Sequence, residues 1–377
     1  MADLFFFGTL RHIPLLELVL GRPADALDLQ SGRLHGHGAY AVVDQVFPTI
    51  EARAGEAAVG LLARGLSDVD LAALNFYEGG FSYDLKPVEI ELVSGEVAPA
   101  QVYFPQPGLW EAGEGWDLEK WVRNWGALSM RAAEEVMSYQ GRMTAEDIAQ
   151  RIHAIRIRAA AWLATQAGSD AGERDLSRDV VVHRHTRPYL NFFAMEEMDL
   201  QYRRHDGDLS PVINRAAILV GHAAAVLPYD PVRDQVLLVE QFRASTFIAG
   251  DQNPWIWEPV AGLVEPGETP ETTAHREAME EAGVTLNALE PVSRAYSSTG
   301  SSGEFLHTFI GVTDLSNVRS ANGVAAEGED IRSKILSFDQ LMHAVDTQEF
   351  RILPLITASL WLARHRDRLR QTAGVSD

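Results

Sequence analysis

The sequence contains no cysteine, which excludes disulfide bonds, thiol nucleophiles and cysteine-ligated zinc sites. Positive charge is also scarce, because 32 Lys and Arg residues stand against 53 Asp and Glu residues, for a formal net charge of -21. Nucleic acids and anionic membranes bind clustered cations, so this balance argues against both as partners. An anionic small molecule can still bind where metal ions lie between it and the protein.

Long apolar runs are missing too, and no uninterrupted one approaches the length that crosses a membrane. The first residues lack the basic region of a signal peptide, and Arg11 follows too soon for one, so we expect a cytoplasmic protein. At 377 residues the chain is too long for one ordinary core. The small, polar residues 168–173 have the composition of a linker, which predicts domains at residues 1–170 and 171–377.

Apolar and turn-forming residues alternate along both predicted domains in patterns typical of mixed α and β structure. Strands are predicted at residues 4–7, 58–63, 88–93, 101–104, 180–183, 189–195, 223–227, 236–242 and 255–260. Helices are predicted at residues 118–139 and 144–167. The turn residues at 230–234 predict a hairpin between the two strands that flank them.

Residues 262–284 predict a loop followed by a helix of roughly three turns. Thr269 is expected to cap a helix that begins at Pro270, where the missing N–H costs nothing. Gly283 suits the left-handed conformation that often ends a helix. The helix bounds therefore follow from local signals alone.

Three glutamates of this helix, Glu277, Glu280 and Glu281, lie at positions i, i+3 and i+4, so their carboxylates share one face. Most acidic helix faces are simply solvated. Here Arg276 alone lies close enough in sequence to offset three like charges. Clustered carboxylate oxygens are the ligands that Mg²⁺ or Mn²⁺ prefers, which makes this face a candidate metal site.

The same segment resembles the signature of the Nudix hydrolase family. The matching positions, in order and spacing, are Gly262, Glu268, Arg276, Glu277, Glu280, Glu281 and Gly283. The resemblance implies a Mg²⁺ enzyme, with Mn²⁺ able to substitute, whose principal metal ligands are Glu277 and Glu281. It also implies that Glu280 and the backbone carbonyl of Ala261 contribute ligands.

The remaining positions of the signature have structural roles by the same resemblance. Glu268 and Arg276 are expected to pair and to hold the loop against the helix. Gly262 and Gly283 are expected to be structural glycines. Hydrolysis of a pyrophosphate needs a base for the attacking water as well as metal ions, and the signature supplies no obvious one.

A wider set of motifs resembles the ADP-ribose pyrophosphatase branch of the Nudix hydrolases. They are Gly221-His222-Ala223, Asp230-Pro231-Val232-Arg233-Asp234, Val239-Glu240-Gln241-Phe242-Arg243, Pro254-Trp255 and residues 327–332. This resemblance implies hydrolysis of ADP-ribose to AMP and ribose 5-phosphate by a homodimer. Thr299 departs from the branch, which often has proline there, so another nucleoside diphosphate sugar stays open as the substrate.

An acidic cluster follows the signature at Glu327-Gly328-Glu329-Asp330. Taken alone, such a cluster is usually a solvated loop. In the ADP-ribose pyrophosphatase branch, however, a loop after the signature carries the catalytic glutamate. By position the resemblance implies Glu327 as the catalytic base, with Glu281 also essential to catalysis, and Glu329 as a further metal ligand.

Three residues are candidates for binding the substrate. Arg243 ends a predicted strand, and a guanidinium binds phosphate in bidentate fashion, although a surface salt bridge is an equally ordinary role. In this branch the region upstream of the signature helps to hold adenine across a dimer interface, which points to Arg215 and Phe193. A core position for Phe193 and its neighbour Phe192 is the alternative.

The first predicted domain carries two short motifs that resemble the γ-glutamylcyclotransferase-like superfamily. They are Phe6-Phe7-Gly8-Thr9-Leu10 and Leu74-Asn75-Phe76-Tyr77-Glu78, the second followed by Tyr83. The resemblance implies Glu78 as the acid/base and the backbone of residues 8–10 as a substrate cradle. Phe7 stands where tyrosine is usual and Asn75 where aspartate is common, so a scaffold or binding role stays open. The order of the domains resembles bacterial tellurite-resistance proteins of the TrgB type.

These resemblances together predict an α/β and α+β protein. The first domain is expected to be a cyclotransferase-like β-barrel with helices, and the second a Nudix α/β/α sandwich with a mixed sheet. A non-catalytic ADP-ribose sensor is the alternative from a different class. Such sensors usually lose signature glutamates or add a basic segment, whereas this chain keeps the glutamates and has no basic segment.

Overall fold

The computed structural model describes residues 1–79, 83–168, 172–318, 321–322 and 330–375. The chain forms two compact units, one of Met1–Asp170 with Tyr189–Phe192, the other of Ala171–Pro188 with Phe193–Asp377. Within the described residues, no helix is both long and apolar enough to span a membrane.

The first unit is built on a closed barrel of five strands. They are β1 (Ala2–Phe6), β2 (Asp28–Val42), β3 (Pro48–Leu66), β4 (Tyr83–Leu92) and β5 (Val97–Pro105). The order is β3-β1-β5-β4-β2, and pairing of β2 with β3 closes the barrel. Strands β1 and β5 run parallel and the other pairs antiparallel. A further strand, β6 (Ala112–Gly115), extends β2, and the predicted β-barrel is confirmed.

Among the described residues of this unit, six α-helices accompany the barrel. They are α1 (Ile13–Leu20), α2 (Asp68–Glu78), α3 (Leu118–Trp121), α4 (Ala127–Met137), α5 (Ala145–Ala149) and α6 (Ile152–Gly168). A π-helical turn, Val122–Gly126, joins α3 to α4, so the helix predicted at residues 118–139 is essentially continuous. The helix predicted at residues 144–167 is interrupted between α5 and α6. Helix α2 begins with a capping box of Ser67 and Asp70 and ends at Glu78.

The second unit begins with a small separate sheet. After helix α7 (Leu176–Asp179), strands β7 (Val180–Leu190), β8 (Ala194–Tyr202) and β9 (Ile213–Leu219) pair in that order. The strand predicted at residues 189–195 is wrong, because the chain bends at residues 191–193 between β7 and β8. A run of apolar residues conceals this bend, since periodicity does not show where a strand reverses.

The main sheet of the second unit is mixed. Its strands are β10 (His222–Asp230), β11 (Gln235–Phe242), β12 (Trp255–Glu258), β13 (Val260–Leu263), β14 (Ala288–Tyr296), β15 (Phe305–Val312), β16 (Ala321–Asn322) and β17 (Ile331–Ser337). The order is β14-β15-β10-β11-β17-β16, with β12 on β11 and β13 on β10. The predicted hairpin of β10 and β11 is confirmed. Pro259 separates β12 from β13, where one strand was predicted.

Helices cover both faces of this sheet and complete an α/β/α sandwich. They are α9 (Pro270–Ala282), α10 (Phe338–Asp346) and α11 (Leu353–Thr372), whereas the short helix α8 (Ala244–Ile248) buries no residue. Successive residues of a strand point to opposite faces. On β11, Leu237 and Val239 pack in the same core as α9, whereas Val236 and Leu238 pack with α10 and α11. The predicted sandwich with a mixed sheet is therefore confirmed.

Candidate active sites

Helix α9 has the bounds that its sequence predicts. The Thr269 hydroxyl accepts a hydrogen bond from the Thr272 N–H at 3.2 Å, and Pro270 is the first helical residue. Gly283 ends the helix in the left-handed region, at φ 63° and ψ 28°. Buried alanines on one face pack against the sheet and bring the helix close to it. Its glutamates can therefore reach strand β13.

Arg276 gathers three carboxylates around one guanidinium. It donates to both oxygens of Glu268, from Nε at 2.9 Å and Nη2 at 3.1 Å, so the pair expected from the sequence is present. Its Nη1 also donates to Glu277 at 2.7 Å and to Glu280 at 2.9 Å. Burial lowers the pKa of Arg276, but the hydrogen bond to Glu268 and the charge of Glu277 outweigh burial and raise the pKa. The guanidinium therefore stays charged.

Glu281 is the most buried carboxylate of the cluster, with 2% of the residue exposed. One oxygen accepts from Gln241 Nε2 at 3.1 Å and the other from the Ala261 N–H at 3.0 Å. Two strands thus orient a single carboxylate. The contact of Gln241 was not foreseen, although a polar residue in the apolar run of β11 was the available signal.

Gly262 lets Glu277 lie against strand β13. A Cβ atom at position 262 would stand 1.7 Å from Oε1 of Glu277 and 2.2 Å from its Cδ. While Glu277 holds this position no Cβ fits at residue 262, so glycine here allows a close approach and does not serve an unusual φ. Glu277 and Glu281 consequently contact β13 at the neighbouring residues Gly262 and Ala261.

The donors of this cluster suit a hard divalent cation. Glu277, Glu280, Glu281 and the Ala261 carbonyl all offer oxygen, which is the ligand set of Mg²⁺. Within the described residues, no three carboxylates or imidazoles converge tightly enough to hold a metal ion. Glu277 and Glu280 instead turn to Arg276, while Glu281 turns to Gln241 and the Ala261 N–H. The agreement of these residues with a Mg²⁺ site thus rests on their being oxygen donors.

Two acidic residues of the sequence analysis, Glu327 and Glu329, lie outside the described residues. Their roles as catalytic base and metal ligand stay predictions. Arg332, which follows them on β17, donates from Nε to Glu240 on β11. The strand that follows Glu329, β17, therefore pairs with β11, which carries Gln241.

Arg243 follows β11, two residues after Gln241. Its Nε donates to Oε1 of Glu258 at 2.8 Å, and 38% of its side chain is exposed. Glu258 is buried; burial raises its pKa, while the charge of Arg243 lowers it in part. Glu258, which the sequence analysis missed, anchors one edge of the guanidinium, and part of the Arg243 side chain stays exposed.

Arg215 lies in the small three-stranded sheet, which is separate from the sheet beside α9, and Phe193 lies in the bend just before strand β8 of that small sheet. Arg215 lies on β9, and its Nη1 donates to the Asn214 carbonyl at 2.7 Å. Phe193 is 43% exposed and Phe192 59% exposed, so the alternative of core positions is wrong for both. The bend at residues 191–193 exposes these rings.

The two motifs of the first unit meet in one cavity of about 420 Å³. Residues 8–10, which follow β1, and Glu78, which ends α2, both line it. Three tyrosines, Tyr77, Tyr83 and Tyr103, also face the cavity. The barrel and α2 thus bring together the candidate cradle and the candidate acid/base.

Burial raises the pKa of Glu78 to about 7. The same burial, and then the charge of Glu78, raises the pKa of Tyr77 and of Tyr103, so these phenols stay protonated. A carboxyl with a pKa near 7 can both accept and give a proton at neutral pH. Of the two departures from the superfamily, Asn75 accepts from the Tyr103 hydroxyl at 2.6 Å, and Phe7 lines the cavity.

Comparison with known proteins gives two family matches and several relatives. A family model described as NUDIX domain matches residues 220–356, and one described as Gamma-glutamyl cyclotransferase, AIG2-like, matches residues 4–123. The ADP-ribose pyrophosphatase of Escherichia coli (strain K12) is 35% identical over 182 residues, which are 48% of this chain and 87% of that protein. The GDP-mannose pyrophosphatase of Cronobacter sakazakii (strain ATCC BAA-894) is 32% identical over 155 residues, or 41% and 80%. The crystal structure of an ADP compounds hydrolase is 14% identical and covers 51% of this chain and 97% of its own, with a TM-score of 0.40.

An α/β/α sandwich that holds an acidic helix against the end of a strand defines a hydrolase of the Nudix class. The chain belongs to the Nudix hydrolase family through its C-terminal domain and carries an AIG2-like γ-glutamyl cyclotransferase domain at its N-terminus. The resemblances to the Nudix hydrolases and to the γ-glutamylcyclotransferase-like superfamily are confirmed. Nudix hydrolases use divalent metal ions, which agrees with the oxygen donors around Arg276.

Proposed function

We propose that the C-terminal domain hydrolyses the pyrophosphate bond of ADP-ribose to AMP and ribose 5-phosphate and depends on Mg²⁺. The observation that carries the proposal is the pair of carboxylates, Glu277 and Glu281, held against adjacent residues of β13. The choice of ADP-ribose is supported by the E. coli relative, which is named ADP-ribose pyrophosphatase and is 35% identical. A sugar nucleotide is the runner-up, because another relative is named GDP-mannose pyrophosphatase.

Glu277, Glu280, Glu281, the Ala261 carbonyl and Glu329 would hold the metal ions. Bound Mg²⁺ would neutralise phosphate charge and lower the pKa of a coordinated water. Gln241 and the Ala261 N–H orient Glu281, and Arg276 keeps the acidic residues of α9 together by offsetting their repulsion.

The other proposed roles concern the substrate and the attacking water. Arg243, anchored by Glu258, binds phosphate through the exposed part of its guanidinium. Glu327 accepts the proton of the attacking water.

Arg215 and Phe193 would hold adenine across a homodimer interface. Met195 and Ile218 are exposed and pair across strands β8 and β9 of the small sheet, and Phe193 is exposed in the bend just before β8. This apolar region supports the homodimer. The cytoplasmic location stays a prediction.

The first test is turnover of the purified full chain with Mg²⁺ on ADP-ribose, sugar nucleotides, dinucleotides and nucleoside triphosphates. We expect AMP release from ADP-ribose to exceed every other turnover by at least about tenfold, as expected of a site that pairs the polar groups of its own substrate. Faster turnover of GDP-mannose or another sugar nucleotide would keep the pyrophosphatase chemistry and reject ADP-ribose. Binding of ADP-ribose without any turnover would favour the sensor alternative.

We propose a second activity, γ-glutamyl cyclotransferase, for the N-terminal domain. Glu78 favours it, because this residue lines a cavity beside the candidate cradle and its pKa of about 7 suits proton transfer in both directions. A scaffold role would not require a carboxyl with that property. Release of 5-oxoproline from γ-glutamyl compounds measures the activity directly.

Glu78→Gln is expected to lower the release of 5-oxoproline by roughly a hundredfold to ten-thousandfold, the usual range for a general acid/base. The same change should alter how stability depends on pH. The native pKa of about 7 lies above the ordinary 4.5, so the protonated carboxyl stabilises the fold fully below about pH 4.5. This contribution is lost as pH rises through about 7. Glutamine does not titrate, so the stability of Glu78→Gln lacks this dependence on pH.

Urea denaturation at pH 5 and pH 8 measures this effect as the difference between the wild type and Glu78→Gln. We expect the wild type to lose more stability than the variant over that interval. Glu119→Gln is the control, because Glu119 is exposed on α3 of the same unit and should behave as the wild type. The same change in the free energy of unfolding between pH 5 and pH 8 for all three proteins would contradict a raised pKa of Glu78.

A further inference from the structure

A second cavity, of about 240 Å³, lies against the main sheet of the C-terminal domain. Strands β12 and β17 line it with Trp255, Trp257 and Lys334. Lys334 pairs with Leu238 of β11, whose side chain packs with α10 and α11, and residues that pair across strands point to the same face. Helix α9 packs on the opposite face. The sheet therefore separates this cavity from the carboxylates of the proposed metal site.

Two tryptophans give this cavity an aromatic wall. Trp255 and Trp257 are two residues apart on β12, so their side chains lie on the same face of the strand. Trp255 is 53% exposed in spite of its large apolar ring. The ring of Phe242, on β11, packs against its edge, with the two ring centroids 5.3 Å apart. A planar ring of a ligand can therefore stack on Trp255, a residue of the Pro254-Trp255 motif to which the proposed hydrolysis gives no role.

Cations outnumber carboxylates among the described residues that line this cavity. The two cations are Lys334 and Arg351, and the carboxylate is Glu349. Arg351 already pairs with Asp251. Glu349 is exposed and accepts a hydrogen bond from the Thr347 hydroxyl at 3.0 Å. In a protein whose net charge is -21, this local excess of positive charge selects for an anionic ligand.

Lys334 is the cation of this cavity that can meet an anion. Its Nζ lies 4.4 Å from the centroid of the Trp257 ring, within the range of a cation–π contact. Within the part of the chain that the structure describes, no carboxylate forms an ion pair with Lys334, whereas its neighbour Arg332 pairs with Glu240. An aromatic ring attracts an ammonium but does not cancel its charge. The Lys334 side chain is thus positioned by Trp257 and still carries a charge for a phosphate.

We propose that this cavity binds a nucleoside monophosphate, with the base stacked on Trp255 and the phosphate at Lys334. An open aromatic face and a positive charge are the two kinds of contact by which proteins hold a base and its phosphate. The volume of the cavity lies below the roughly 300 to 1,000 Å³ of sites for drug-sized ligands, which favours a single nucleotide over a dinucleotide. The site is additional to the proposed hydrolysis, because it lies on the face of the sheet away from α9.

Calorimetry of the full chain in EDTA measures the binding of AMP, adenosine and inorganic phosphate without turnover. We expect AMP to bind at least about tenfold more tightly than adenosine or phosphate, because AMP alone makes both contacts. Trp255→Leu and Lys334→Gln should each weaken AMP binding about tenfold, since each removes one of the two contacts.

Phe247→Leu and Arg364→Gln are the matched controls. Phe247 and Arg364 are exposed in the same domain and do not line the cavity, so both variants should bind AMP as the wild type does. Undetectable binding of AMP at millimolar concentration, or equal affinity for AMP and for one of its two fragments, would overturn the inference.

Arg243→Gln distinguishes this cavity from the proposed active site. Arg243 is the proposed phosphate-binding residue of that site and does not line the cavity. Binding of AMP that is weakened in Lys334→Gln and unchanged in Arg243→Gln would support the inference. The opposite pattern would place AMP in the active site and would overturn it. Because none of these measurements follows hydrolysis, their outcome does not depend on whether the domain cleaves ADP-ribose.

Discussion

Glu281→Gln is expected to lower the turnover of ADP-ribose by on the order of a thousandfold, the range seen when a group that stabilises transition-state charge is removed. The carboxylate accepts hydrogen bonds on both oxygens, from Gln241 and from the Ala261 N–H. A glutamine would turn its own NH₂ group toward one of these donors and would also lose the negative charge. Both effects act at the centre of the proposed metal site.

The measurement is kcat/KM for ADP-ribose at saturating Mg²⁺, with binding of Mn²⁺ measured by calorimetry as a second readout. Glu271→Gln is the matched control, because Glu271 is an exposed glutamate in the first turn of the same helix. It should retain wild-type turnover and Mn²⁺ binding. Turnover in Glu281→Gln above about a tenth of the wild-type value would mean that the acidic face of α9 is not the active site.

Gly262→Ala is expected to separate activity from stability. The new Cβ would meet the carboxylate of Glu277 at 1.7 Å, so Glu277 must leave strand β13. The atoms in the way belong to the end of a side chain that can move, and the backbone need not shift. We therefore expect kcat/KM to fall about a hundredfold, comparable to the loss of a residue that orients a metal ligand. The melting temperature should change by only a few degrees.

Gly300→Ala provides the comparison for this substitution. Gly300 belongs to the same domain, and a Cβ there meets nothing within 4 Å. Its activity and melting temperature should both match those of the wild type. Unchanged activity in Gly262→Ala would show that Glu277 functions away from β13, and a large loss of stability would show that position 262 supports the fold as a whole.

Local signals in the sequence predicted α9 well, whereas strand β2 was missed. Thr269, Pro270 and Gly283 each act within a turn of their own position, so their effect does not depend on the rest of the chain. Strand β2 contains Gly36 at φ 72° and shifts register at His35 and His37, which breaks the alternation that marks a strand. Only its pairing with β3 and β4 makes it a strand of the barrel.

The arrangement of the α9 glutamates was likewise predictable only where it depends on neighbours within one turn of the helix. The spacing of Glu277, Glu280 and Glu281 defines one helix face from the sequence alone. The contact of Gln241 with Glu281 joins residues 40 positions apart, and it depends on how helix α9 packs against strand β11. The ion pair of Arg243 with Glu258 depends in the same way on the register of β11 and β12. Sequence spacing carries no information on either.

The alanine stripe of α9 has a consequence for how this protein can change. Ala274, Ala278 and Ala282 are fully buried, so the distance from helix to sheet is determined by methyl groups. A larger residue at any of them would lift the helix and draw Glu281 away from the Ala261 N–H. The packing of this core thus decides where the carboxylate of Glu281 lies, so larger residues at these alanines are expected to lower the reaction rate.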